Sequence, residues 1–230
     1  MKKTLPIVIT LLAGAVGAYA QAQIEFDDYA PNVPGDGFEI TVWQPQGAGT
    51  SQVFGNGPAD VPAGTQTYTG VAIGGSSTGS GPTGYANGNN FSIELLSGAG
   101  ANATSLTPLA GAVATFSTAF AGSWDASGGV LVSTPYAIGS QNTFQLAAWY
   151  NGGGTISFAQ ASVPGSGDPY GLSNPANITM AGPPNVPSTL GGPNGITSFS
   201  LLANTSVPEP STIALGLVGA SAFLMRLRRK

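Results

Sequence analysis

The chain contains no cysteine and no histidine, and across residues 4–225 it contains no lysine or arginine. Without cysteine there can be no disulfide scaffold, thiolate metal site or cysteine nucleophile. Without histidine the commonest general base and the commonest metal ligand are gone, and Ser-His-Asp catalysis with them. A body without basic side chains cannot clamp phosphates or neutralise a nucleic-acid backbone, so nucleic acid is excluded as a partner. The Gly-rich stretches Gly74-Gly75-Ser76-Ser77 and Gly152-Gly153-Gly154 have no lysine and no helix signal after them, and they read as loops rather than phosphate cradles.

What is present is glycine, proline and acid. Gly and Pro make up 53 of 230 residues, yet hydrophobic residues reach 42% and aromatics 9%, enough to build a packed core. Nine of the ten acids (Glu25, Asp27, Asp28, Asp36, Glu39, Asp60, Glu94, Asp125 and Asp168) lie between Gln21 and Val207, giving that body a formal charge of −9 against −4 for the whole chain. The six bases, Lys2, Lys3, Arg226, Arg228, Arg229 and Lys230, sit at the two ends. Ordinary soluble surfaces intersperse both signs. This separation fits a chain whose ends answer to a membrane and whose middle does not.

Residues 1–20 have the order of a secretory signal peptide. Lys2 and Lys3 are followed by an apolar stretch over 5–16, and then by Ala18-Tyr19-Ala20, whose small residues predict signal-peptidase cleavage before Gln21. At the other end Val207-Pro208-Glu209-Pro210 precedes an apolar segment within 211–225 and the basic tail 226–230. Each proline disfavours helix in the residue before it, so the triplet stays extended, and Ser211 or Thr212 can cap the helix that follows. Residues 211–227 are just long enough to cross a bilayer as one short transmembrane helix with snorkelling arginines. The bases that follow predict retention of that end on the cytoplasmic side of the inner membrane.

These three parts in order, flush with the last residue, resemble the PEP-CTERM sorting signal. The resemblance is confined to residues 207–230. It implies recognition by an exosortase, cleavage near Pro208-Glu209-Pro210 after transient anchoring, and a setting of exopolysaccharide and biofilm. It implies nothing about the body's own activity.

For the body, 21–203, short β-prone runs between turn residues predict an all-β fold, a β-sandwich of jelly-roll or immunoglobulin kind. The expected strands cover 37–43, 66–73, 91–96, 113–120, 130–133, 143–150, 155–161 and 196–203. Asn151 and the three glycines after it read as a hairpin turn joining two of them. The proline-rich stretch 163–195 reads as loops with at most a short strand at 178–180. Residues 204–230 form a linker and the sorting signal.

The chemistry that survives is narrow. Glycoside hydrolysis needs two carboxylates at a fixed separation, and nothing in the acids' spacing picks out a pair. A structural calcium could draw on Asp27, Asp28, Asp125 and Asp168, although no EF-hand spacing is present and each is equally a turn residue. Otherwise no cofactor is expected. Tyr85, Trp124 and Tyr170 lie in loop-like surroundings and are candidates for stacking sugar rings, whereas Trp43 and Trp149 read as core. The first reading is therefore a non-enzymatic envelope or extracellular-matrix protein, exported, processed and associated with exopolysaccharide. The alternative is a carbohydrate-binding module.

Overall fold

The computed structural model describes residues 21–28, 39–124, 130–192 and 194–204. The signal-peptide residues including Ala18 and Ala20, the sorting motif Val207 to Pro210, the apolar segment after it, and Arg226, Arg228, Arg229 and Lys230 lie outside them, as does Asp125. Among the described residues no helix is long and apolar enough to cross a membrane.

The described residues of the body are all-β and form ten strands: β1 (Gln21–Phe26), β2 (Val42–Trp43), β3 (Phe91–Gly98), β4 (Thr107–Thr115), β5 (Val130–Ala137), β6 (Gln141–Tyr150), β7 (Tyr170–Leu172), β8 (Ala176–Thr179), β9 (Ser188–Thr189) and β10 (Phe199–Ser200). They form a five-stranded sheet ordered β4-β3-β6-β7 with β8 also on β6, a three-stranded sheet β5-β1-β9, and the pair β10-β2. The large sheet is antiparallel throughout, while β1–β9 and β2–β10 pair in parallel.

Period-two alternation fixes which face is buried. Phe91, Ile93 and Leu95 of β3 and Phe144, Leu146 and Ala148 of β6 point inward, and Ala22, Ile24, Phe26 and Val132 meet them from the smaller sheet. Val42, Phe199, Phe116 and Trp124 complete the same core. β1 (Gln-Ala-Gln-Ile-Glu-Phe) carries this alternation plainly and lies outside the expected strands, the first of which starts at residue 37.

Two expected strands do not form. Residues 155–161 end in a short helix, α1 (Phe158–Ala161), because Ser157 and Gln160 make a reciprocal capping box that closes its first turn. The Asn151 turn is real, its side-chain oxygen accepting from the N–H groups of Gly153 and Gly154 at 2.9 and 3.2 Å. It leads to α1 rather than back along β6, whose partners are β3, β7 and β8. Residues 66–73 contribute only a single bridge, Trp43 to Ala72. Conversely, the proline-rich stretch holds β7, β8 and β9. Between β7 and β8, Ser173 keeps contact with β6, its backbone N–H and its hydroxyl oxygen bonding Leu146 O and Leu146 N–H at 2.8 and 2.9 Å. Local composition could not reveal this, because β7 and β8 pair with β6 and β9 pairs with β1, partners distant in sequence.

Candidate functional site

The outer face of the large sheet carries Ser92, Glu94 and Leu96 on β3 and Thr143, Gln145, Ala147 and Trp149 on β6, set by the same alternation. Register aligns Ser92 with Trp149, Glu94 with Ala147 and Leu96 with Gln145, and β7 adds Tyr170 beside Trp149 and Leu172 beside Ala147. One end of this face is closed by α1. Phe158 meets Trp149 edge-on at 5.9 Å and Tyr170 at 6.1 Å, and the Trp149 indole N–H donates to Ile156 O at 2.8 Å.

The other end opens into a groove of about 590 Å³, lined by apolar Leu96, Leu106, Leu172 and Pro175 and by polar Asn102, Thr104, Thr143, Gln145 and Asn177. One wall is the β3–β4 loop, tied down by side chains of β6 and β8. Asn142 Oδ1 accepts from Gly100 N–H (3.0 Å) and the Thr143 hydroxyl oxygen accepts from Ala103 N–H (2.9 Å). The same hydroxyl lies 2.9 Å from both Gly100 O and Asn177 Oδ1, able to donate to either. Asn177 closes a ring with Asn102, accepting from its backbone N–H and donating to its side-chain oxygen, each at 2.8 Å.

Gly98 makes that fold-back sterically feasible. A Cβ there would stand 2.7 Å from the Leu106 side chain and 2.8 Å from both Ala103 Cβ and Ser105 O. Gly98→Val is expected to lift the loop and cost about 1–3 kcal/mol by overpacking, read as a lower unfolding midpoint together with faster amide exchange at Gly100 and Ala103.

The residues singled out in the sequence fall in different places. Trp124 is not an exposed platform: it is 1% exposed, edge-on to Phe116 and tilted against Phe26 in the core. Its aromatic bulk won over its loop-like neighbours, which serve to bring it inward. Tyr85 is half-buried on Phe91, and Tyr170 is half-buried under Phe158. Trp149 is buried, as its strand position implied, whereas Trp43 is half-buried and stacks on Tyr68 at 5.0 Å with the rings 2° from parallel.

Asp27 and Asp28 sit together at the end of β1, with Asp28 buried. Burial pushes the Asp28 carboxyl up to about 8, reinforced by its hydrogen bond to Asp27 and opposed by one from Ser123. Asp168 lies in the loop before β7, its backbone N–H donating to Ser166. Among the described residues no three metal-ligating side chains gather at one point.

Glu94 is the acid that the sequence reading passed over. It is half-buried on the outer face of β3, and desolvation raises its carboxyl above the usual range. The alternation Phe91-Ser92-Ile93-Glu94-Leu95 marked it as outward, but only the sheet places it one row from the groove.

Comparison with family models, with curated proteins and with solved structures finds no match to this chain.

Proposed function

We propose that the chain is an exported structural protein of the cell envelope or extracellular matrix. In this reading it is released from the inner membrane after signal peptidase acts before Gln21 and an exosortase acts near Pro208-Glu209-Pro210. The observation that carries the reading is the confinement of all six basic residues to the two termini, with 222 consecutive residues free of them. Both proposed cuts leave the described strands whole, since β1 begins at Gln21 and β10 ends at Ser200. The body is proposed to be a β-sandwich, its five-stranded and three-stranded sheets facing each other across the shared core. Its function requires no catalytic residue, and in this reading the protein is not an enzyme.

Mass spectrometry of the protein recovered from outside the cell tests the processing. The expected species begins at Gln21 and lacks the basic tail. An extracellular chain still ending in Arg228-Arg229-Lys230 overturns exosortase cleavage, and neutralising Arg226, Arg228, Arg229 and Lys230 is expected to reduce membrane retention of the precursor.

A second reading, a carbohydrate-binding module, is favoured by the groove. Its lining combines amides and hydroxyls with aliphatic side chains, the mixture that a sugar's hydroxyls and C–H face require.

A further inference from the structure

We infer that the groove between the β3–β4 loop and strands β6 to β8 is a subsite for a neutral saccharide; the inference rests on the second reading above and gives it a site and a ligand class. The hydrogen-bonding groups left over in the groove define the ligand. Gln145 donates one of its two amide hydrogens to Ser173 O at 2.7 Å, and its carbonyl oxygen has no protein partner among the described residues. Among the described residues, the hydroxyl of exposed Thr104 makes no hydrogen bond, and neither does either side-chain amide hydrogen of Asn102. Glu94 lies two residues before Leu96 on the same face, about 7 Å along the strand, and its carboxylate has no hydrogen-bonding or ionic partner among the described residues.

Spare donors and acceptors therefore stand side by side, which suits hydroxyl groups, because each O–H can both donate and accept. The ligand must not be an anion, because Glu94 repels one and residues 4–225 supply no cation. It must also present an apolar face to Leu96, Leu106, Leu172 and Pro175. A neutral sugar chain meets all three conditions. The volume lies within the range of about 300–1,000 Å³ common for small-ligand sites.

Native electrophoresis of the exported protein in gels containing dextran, laminarin, hydroxyethyl cellulose or galactomannan, with alginate as the anionic comparison, tests this. At least one neutral polymer is expected to retard the protein and alginate to leave it unretarded. Gln145→Ala and Thr104→Val are expected to weaken retardation at least tenfold, while Phe120→Ser, on an exposed side chain outside the groove lining, leaves it unchanged. Thr104→Val alters an exposed hydroxyl without a bond in the fold, so it reads binding even where Gln145→Ala is unstable. Equal retardation of the wild type and both groove variants overturns the groove as the site and leaves glycan association standing. Absence of retardation by every neutral polymer overturns both, and retardation by alginate alone overturns the assignment of a neutral ligand.

Discussion

Asp60→Ala is expected to lower the stability of the body by about 3–5 kcal/mol, a large share of the about 5–15 kcal/mol that a domain possesses. Asp60 is 5% exposed, and no lysine or arginine exists in the body to balance it. Its carboxylate instead accepts from Gly57 N–H at 2.7 Å, the Ser198 hydroxyl at 2.6 Å and the Thr41 hydroxyl at 3.2 Å. The Ser198 oxygen in turn accepts from Thr41 N–H at 2.8 Å. One side chain thus joins the 57–60 turn, the approach to β2 and the approach to β10, segments up to 157 positions apart. Removing it strands two hydroxyls and an N–H in the interior, and hydrogen bonds to a charged group are worth about 1.5–3 kcal/mol each. Ser198→Ala removes the acceptor of the Thr41 N–H but keeps the Thr41 hydroxyl and Gly57 N–H bonds to Asp60, and is expected to cost less. Urea denaturation of both variants checks the order; an Asp60→Ala protein as stable as the wild type removes Asp60 as the tie between these segments.

The second large effect is on pH dependence, and its sign is opposite to common acid denaturation. An unfolded aspartate releases its proton near 3.8, whereas folded Asp28 holds it to about 8 because it is buried beside Asp27. Between those values the folded protein binds the extra proton, so stability falls as pH rises through the window and levels off above it. Glu25, Glu39 and Glu94 are raised as well, each chiefly by burial, and act in the same direction. The body also has no salt bridges for acid to break, since it has no basic side chains. Each tenfold in proton affinity corresponds to about 1.4 kcal/mol. The melting temperature is therefore expected to drop by about 10 °C between pH 5 and pH 8. Asp28→Asn, which keeps the shape and removes the titration, is expected to flatten the profile and raise the melting temperature at pH 8. A wild-type melting temperature that holds steady or climbs over this range contradicts the burial of a neutral Asp28.

The groove and these two carboxylates differ in how far the chain alone announces them. The inward residues of β3 and β6 were legible, since Phe91, Ile93 and Leu95, and likewise Phe144, Leu146 and Ala148, alternate with residues that face outward. Trp124 misled because its neighbours are turn formers; a large ring preceded by Gly122 and Ser123 looks exposed until Phe26 of the distant β1 and nearby Phe116 enclose it. The Ser157–Gln160 capping box was present as a four-residue signal, and the β-prone residues around it outweighed it. Asp60 gave no local sign of importance, because its partners Thr41 and Ser198 lie far away in sequence.

Sequence by itself determined the charge distribution, the exclusion of histidine, cysteine and phosphate chemistry, and the all-β character of the body, because these depend on composition and on period-two alternation that neighbouring residues carry. Tertiary structure alone decided which carboxylates are buried, which aromatics are covered, and that the β3–β4 loop lies over β6 and β8 to form a groove. Those outcomes depend on contacts between segments tens to more than a hundred residues apart, and no local pattern encodes where such segments meet.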